Sequence, residues 1–191
     1  MKSKIVFLTL VAGLVFVLEG CQDPLARSEP KTAEQFVPSA SIQEIMTSIV
    51  DTNADDVWNS VATVITTSGI EEKAPHTDDD WSTVLRHAIT LSEASNLLII
   101  EGRKVALPGA STSDVPAELS APEIQKDIDA HRQEFNSYAL AFHEAVNRAI
   151  VAIDARNPAE LVDAGGGIDQ VCEACHLRFW YPLKRNNISS K

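Results

Sequence analysis

The chain has 191 residues, a formal net charge of -11 and an isoelectric point near 4.8. This length suits one domain with a substantial core rather than several domains. Nucleic acid and anionic lipid surfaces are poor partners for so acidic a chain, because both would repel it, whereas a basic protein partner would be attracted.

The first 20 residues predict an export signal. Lys2 and Lys4 precede an apolar run over residues 5–18, which is shorter than the ~20 residues needed to span a bilayer. Leu18-Glu19-Gly20-Cys21 resembles a bacterial lipoprotein cleavage site, in which the cysteine becomes the lipidated first residue. We therefore expect a domain on the periplasmic side of a bacterial membrane, anchored through Cys21. The alternative is an ordinary secretory signal and a soluble periplasmic protein.

Residues 21–38 predict a flexible tether, because Pro24, Pro30 and Pro38 occur among mixed charges with little apolar content. The predicted domain covers residues 39–187, and residues 188–191 form a tail. A first helix is predicted from Ser39, with a kink or break at the polar stretch 51–55. Its apolar stripe consists of Ile42, Ile45, Met46, Ile49 and Val50, and resumes with Val57, Val61, Val64 and Ile65.

Three further helices are predicted from their capping residues. After a loop over residues 69–76, Thr77 caps a second helix that ends near Gly102. Ser120-Ala121-Pro122-Glu123 forms a capping box at the start of a third helix, after a long loop over residues 106–119. The inward positions of the second helix are Trp81, Leu85, Ala88, Ser92, Ser95 and Ile99, and those of the third are Ile124, Ile128, His131, Phe135, Tyr138, Phe142, Ala145 and Ala149.

Asn157 opens the fourth predicted helix, which ends before Pro182. Gly165-Gly166-Gly167 lies within it, although glycine costs up to ~1 kcal/mol per residue in a helix relative to alanine. Two explanations are open: a neighbouring helix or a cofactor approaches closely there, or the helix breaks. The apolar positions of this fourth helix are Leu161, Val162, Ile168, Val171, Cys172, Cys175 and Phe179.

The most specific motif is Cys172-Glu173-Ala174-Cys175-His176. Two thiols at this spacing attach a c-type haem through thioether bonds, and the adjacent histidine supplies an axial ligand to the iron. Two alternatives use the same cysteines. A redox disulfide favours a thioredoxin-like strand–helix context, which the helical surroundings do not provide. A zinc site needs a second pair of ligands, and Cys21 is the only other cysteine.

Four helices, the last carrying this motif near the C-terminus, resemble the class II cytochromes c, the cytochrome c′ family. The resemblance covers residues 39–187 and implies an all-α, antiparallel four-helix bundle with one covalent haem c. It also implies His176 as the proximal iron ligand. Low-spin members of the family fill the other iron face with a methionine from the first helix, and other members leave it open. Homodimers are common in the family.

Met46 is the only methionine besides Met1, which leaves with the signal. At a rise of ~1.5 Å per residue, Met46 lies ~10 Å along its helix from the end of the bundle nearest His176, so we expect it to be the sixth ligand. The rival is His131, placed ~15 Å from the same end on the inward side of the third helix. His87 and His143 lie farther along, and His76 lies in a loop.

Family members often carry a basic residue on the first helix near the haem propionates, but residues 39–67 contain no lysine or arginine. Arg178, Lys184, Arg103 or Lys104 could replace it, or the propionates could be solvated. The expected function is a one-electron carrier that meets redox protein partners and is not an enzyme. The alternatives are a five-coordinate binder of NO or CO and a haem subunit of a larger redox complex.

Overall fold

The computed structural model describes residues 36–110 and 118–181. The export signal, Cys21, most of the tether, Lys184 and the tail lie outside these residues. Within them the protein is mainly helical, with one small two-stranded sheet.

The first helical run starts where Ser41 and Glu44 form a reciprocal capping box. It consists of α1 (Ile42–Ile45), a π-helical turn (Met46–Val50) and α2 (Asp51–Trp58) without interruption. The break predicted over residues 51–55 is therefore wrong. The irregularity lies one turn earlier, in the π-helical turn, which inserts an extra residue into the hydrogen-bonding pattern and is a feature often found at functional sites.

A β-hairpin follows, formed by β1 (Ala62–Thr66) and β2 (Gly69–Lys73) in antiparallel pairing. The sequence predicted a helical stripe through Val64 and Ile65, which is wrong, and a loop over residues 69–76, of which residues 69–73 form β2 and only residues 74–76 are loop. Three consecutive β-branched residues, Thr63 to Ile65, favour an extended strand, and Gly69 adopts φ = 134°, which suits the turn. The expected all-α fold is thus corrected to a mainly helical one.

The second predicted helix is confirmed as α3 (Asp78–Leu98), with Thr77 and Asp80 as a capping box. The loop behind it is fixed by Arg103, whose side chain is buried and donates to the backbone carbonyls of Leu97 and Ala40. The same loop pairs with the start of α1, because the Ile42 amide donates to the Lys104 carbonyl at 2.8 Å.

The third predicted helix is two helices, α4 (Ala121–Ala130) and α5 (Arg132–Asp154). Its capping box at Ser120 and Glu123 is confirmed. His131 separates the two helices with φ = -125° and ψ = 38°, and its side chain is 51% exposed. The prediction that His131 faces inward is therefore wrong: the chain changes direction there, and the imidazole contacts Asp127 in the preceding turn.

The last helix, α6 (Pro158–Phe179), runs through Gly165–Gly167 without a break. Trp58 approaches α6 at this point, and its indole N–H donates to the Gly165 carbonyl at 3.0 Å. A Cβ atom on Gly165 would lie 3.0 Å from the Trp58 ring, whereas one on Gly166 would meet nothing within 4 Å. Close approach of a neighbouring helix is thus the explanation that the structure supports for Gly165.

The core forms where α3 and α6 both pack against α5, while α2 packs against α3 and touches α6. Between α3 and α5 a polar link joins the Ser92 hydroxyl to the His143 Nδ1 atom at 3.1 Å. The largest fully buried side chains are Phe179, Ile42, Ile45, Leu91, Ile124, Ile128, Leu161, Ile168, Val57, Val105 and Val146. None of the helices in the described ranges is long and apolar enough to cross a membrane.

Candidate functional site

A cavity of about 440 Å³ lies where the first helical run, α5 and α6 meet. Its walls are mostly apolar and aromatic, and the residues that form them are Val50, Ala54, Trp58, Leu98, Phe135, Tyr138, Ala139, Phe142, Val171 and Trp180. Cys172, Cys175 and His176 from α6 and Met46 from the π-helical turn also line it. Of the residues that the sequence predicts as haem attachment sites or iron ligands, Cys172, Cys175, His176 and Met46 thus line the cavity, and His131 does not.

The side chains on α6 reach the cavity because of their helical spacing. Cys172 and Cys175 are three residues apart, and Cys172 and His176 are four apart, so all three lie on one face of the helix. Asp169 lies one turn earlier on the same face and also lines the cavity. Both cysteines are free and half-buried. Two sulfur atoms and an imidazole are thus presented by consecutive turns of one rigid helix.

Burial changes the chemistry of the two thiols. It raises the pKa of Cys172 to about 11, helped by the nearby Asp169 and Asp51, and it raises the pKa of Cys175 to about 12. A redox-active Cys-x-x-Cys pair instead depends on a lowered pKa, because the thiolate is the nucleophile. The raised pKa values of Cys172 and Cys175 are the opposite of what such a pair needs.

The structure adds no further ligands for a zinc ion among the described residues. In residues 36–110 and 118–181, no group of three or more His, Cys, Asp and Glu side chains is arranged to hold a metal ion. Haem iron makes no such demand, because the porphyrin supplies four ligands and the protein supplies at most two.

Burial favours the neutral form of the half-buried His176 imidazole, which can donate a lone pair. Burial lowers the pKa of its imidazole, although Glu173, Asp51 and Glu118 act in the opposite direction. Its ring contacts Trp180 edge to face, with centroids 5.7 Å apart. Neutral imidazole is the form in which histidine coordinates metals.

Met46 reaches the cavity from the π-helical turn, where its side chain is half-buried. The other histidines do not line the cavity. His131 is bound to Asp127, His143 lies between α3 and α5, and the His87 Nδ1 atom lies 2.9 Å from the Asn53 side-chain oxygen. Of the two proposed partners for the iron, the structure thus brings Met46, and not His131, into the cavity that holds His176.

Trp58 is the main cavity residue that the sequence interpretation missed. Its position depends on the hydrogen bond to the Gly165 carbonyl and on the missing side chain of Gly165. The signal that could have found it is the glycine run itself, since a glycine inside a helix often marks a close contact. The partner of that contact could not be read from the local sequence.

Charge around the cavity is entirely acidic among the described residues. Four carboxylates line it, Asp51, Asp55, Asp169 and Glu173, and no lysine or arginine does. Burial raises the pKa of Asp51, although the neighbouring His176 opposes that shift.

Three of the basic residues considered for the haem propionates, Arg178, Arg103 and Lys104, are engaged elsewhere or do not line the cavity, and the fourth, Lys184, lies outside the described residues. Arg178 binds Asp127 and Glu134, and Arg103 binds backbone carbonyls. Lys104 has an exposed side chain that does not line the cavity. None of these three described basic side chains therefore reaches the cavity.

The donor set fits a c-type haem. Two half-buried thiols one helical turn apart, an imidazole and a thioether meet in a cavity with apolar aromatic walls, which is the combination that covalent attachment and axial ligation require. The acidic lining is the one feature that would not help to hold the anionic propionates.

No protein-family model matches the chain, and comparison with curated proteins and with solved structures gives no match either.

Proposed function

We propose that this protein is a monohaem c-type cytochrome of the class II type, acting as a one-electron carrier. The observation that supports it most strongly is the shared cavity, which brings Met46 from the first helical run to the Cys-x-x-Cys-His motif of α6. These residues are 126 or more positions apart in the sequence, so their meeting is a property of the fold and not of the motif alone.

The residues divide the binding task between them. Cys172 and Cys175 would hold the haem through two thioether bonds, His176 would ligate the iron, and Met46 would provide the second axial ligand. When bound, haem supplies a reversible one-electron couple, and a Met/His pair raises its potential relative to other ligand sets. Phe135, Phe142 and the other aromatic walls keep water away, and the uninterrupted α6 keeps the two thiols and the imidazole in register.

The overall arrangement belongs to the same proposal. The first helical run, α3, α5 and α6 would act as the four antiparallel helices of a class II bundle, and α4 and the hairpin would be additions to it. An export signal and a lipid on Cys21 would place the domain on the periplasmic side of a bacterial membrane, where c-type haem is attached. Its partners would be other redox proteins.

Covalent attachment is tested by producing the full chain in a bacterium that matures c-type cytochromes. We expect a mass increase of one haem and haem absorbance that survives denaturation and acid–acetone extraction. The matched control is the Cys172→Ala/Cys175→Ala variant, which should lose the covalent haem. A wild-type chain that leaves the same host without covalent haem would contradict the proposal.

The axial ligands are tested by optical spectra of the ferric and ferrous protein. We expect a low-spin spectrum that does not respond to carbon monoxide, and we expect Met46→Leu, which keeps the volume but removes the sulfur, to give a high-spin spectrum that does respond. A wild-type spectrum that already shifts with the gas would support the five-coordinate NO or CO binder instead. An unchanged low-spin spectrum in Met46→Leu would mean that another residue, such as His131, closes the iron.

A third outcome concerns the partners. If the haem protein purifies in a fixed ratio with a membrane redox enzyme under mild conditions, the subunit alternative replaces the free carrier.

A further inference from the structure

The hairpin formed by β1 and β2 stands apart from the helical core. Every β2 residue is exposed, and in β1 the three central residues are exposed while Ala62 and Thr66 are half-buried. Ile65 and Ile70 face each other across the hairpin and are 83% and 70% exposed, and Val64 is 47% exposed. A two-stranded sheet alone is marginally stable in water and gains stability when another strand covers it.

The two free edges of this hairpin differ in charge. β1 has the sequence Ala62-Thr63-Val64-Ile65-Thr66, without a charged residue, whereas β2 carries Glu71, Glu72 and Lys73. Charged side chains on an edge strand hinder pairing with another strand. The β1 edge lacks this protection, so additional pairing is expected on that side.

We propose that β1 pairs with β1 of a second copy of this chain, antiparallel about a twofold axis at Val64. The product is a four-stranded sheet with β2 of each copy on the outside. In this register Val64 lies opposite its own counterpart, Thr63 lies opposite Ile65, and Ala62 lies opposite Thr66. The exposed isoleucines of both copies then share one face of the sheet, because side chains alternate between the two faces of a strand.

A second copy suits this edge better than an unrelated strand because the pairing is self-complementary. The central three residues of β1 are all β-branched, so the antiparallel register places Val64 opposite Val64 and Thr63 opposite Ile65, with the small Ala62 opposite Thr66 at the ends. A twofold contact uses the same surface on both partners. The negative charges of β2 stay on the outer strands, away from the contact. Since one strand pair is a small interface, a weak, concentration-dependent dimer is expected.

The proposal is independent of haem, because no hairpin residue lines the cavity. The test is analytical ultracentrifugation of the purified full chain over a range of concentrations, with haem content measured in parallel. The key variant is Val64→Lys. Within one hairpin the new ammonium group faces Glu71, so the hairpin keeps a favourable cross-strand pair, but across the twofold axis two ammonium groups face each other.

Glu71→Lys is the matched control, because it adds the same side chain at the same rung and on the same face, but on the outer strand. We expect the wild type and the control to dimerise and Val64→Lys to stay monomeric at the concentrations where the wild type is a dimer. Amide hydrogen exchange of β1 should slow as the protein concentration rises in the wild type and in Glu71→Lys, but not in Val64→Lys. A wild type that is monomeric throughout, a Val64→Lys variant that still dimerises, or an equal loss in both variants would each overturn the proposal.

Discussion

Two groups of carboxylates lie beside the last turns of α6, and only one of them is paired with an arginine in the part of the chain that the structure describes. On one side, Arg178 binds Asp127 and both oxygens of the Glu134 carboxylate, with N–O distances of 2.7–2.8 Å. On the other side, the four carboxylates of the cavity have no lysine or arginine among the described cavity residues. The first group is partly neutralised by one arginine, and the second has no lysine or arginine beside it among the described cavity residues.

This difference contrasts a side of α6 that is closed by contacts within the protein with a side that faces a cavity. Arg178 is 12% exposed and joins α6 to α4 and α5, so its side of the helix is closed by the fold itself. The cavity side keeps two free thiols and an imidazole whose pKa is lowered by burial. Polar groups that a fold leaves uncompensated in a cavity are the ones available to a ligand. Substitutions on the Arg178 side and on the cavity side of α6 test this difference.

The largest effect is expected from Arg178→Leu. The change leaves Asp127 and Glu134 without their cation, and we expect the free energy of unfolding to fall by about 2 kcal/mol. This is less than the roughly 3–5 kcal/mol of a wholly buried pair, because the Glu134 side chain is 43% exposed. Urea unfolding followed by circular dichroism measures it.

Two controls sharpen this result. Arg178→Lys keeps the charge but loses the two-pronged geometry, so an intermediate loss is expected. Arg86→Leu removes an exposed arginine of α3 and should change stability by no more than about 0.5 kcal/mol. Equal stability of Arg178→Leu and the wild type would show that the arginine does not tie α6 to its neighbours.

On the cavity side, a smaller effect is expected from Gly165→Ala. The added methyl group would lie 3.0 Å from the rigid Trp58 ring, so the ring or α6 must shift, and we expect a loss of about 1 kcal/mol. Gly166→Ala is the matched control, because its methyl group meets nothing within 4 Å and should stabilise the helix by up to ~1 kcal/mol. Opposite signs in thermal unfolding would support the Trp58 contact, and stabilisation by both changes would contradict it.

The sequence predicted the helix starts well, because capping is a local interaction. The boxes at Thr77 and Ser120 are both present in the structure. It could not predict the break at His131, which has no proline or glycine and which coincides with a contact that Asp127 makes to Arg178, 51 residues away. The hairpin was missed because Val61, Val64 and Ile65 also fit a helical period, and a short apolar run does not distinguish the two.

The same contrast between local patterns and contacts of distant residues applies to the candidate site. The spacing of Cys172, Cys175 and His176 fixes their common face, and the scarcity of methionine pointed to Met46, which the structure places in the same cavity. Trp58 depends on the packing of α2 against α6, and the π-helical turn shifts the register of the helix around Met46. The Trp58 position could not be derived from a repeating pattern, because it results from a contact with a segment 107 residues away, and a regular helical period does not reveal a π-helical turn.

The smallest effect is a change in acid sensitivity on the Arg178 side. Partial burial of Asp127 opposes the shift, but hydrogen bonds from Arg178 and His131 hold its pKa below the usual value, and the Arg178 hydrogen bond does the same for Glu134. A carboxyl with a lowered pKa in the folded state stabilises the protein above its unfolded pKa of about 4 and loses this contribution as pH falls. The stability gap between the wild type and Arg178→Leu should therefore be full above pH ~5 and should narrow from pH ~4 downwards.

Thermal unfolding midpoints at a series of pH values measure this narrowing. The double variant Asp127→Asn/Glu134→Gln is the control, since it removes the titrating groups and keeps the arginine, and its curve should be flatter than that of the wild type below pH ~4. Curves that stay parallel for all three proteins would place the acid sensitivity elsewhere in the chain. A gap that closes would show that Arg178 ties α6 to α4 and α5 through the ionised carboxylates of Asp127 and Glu134.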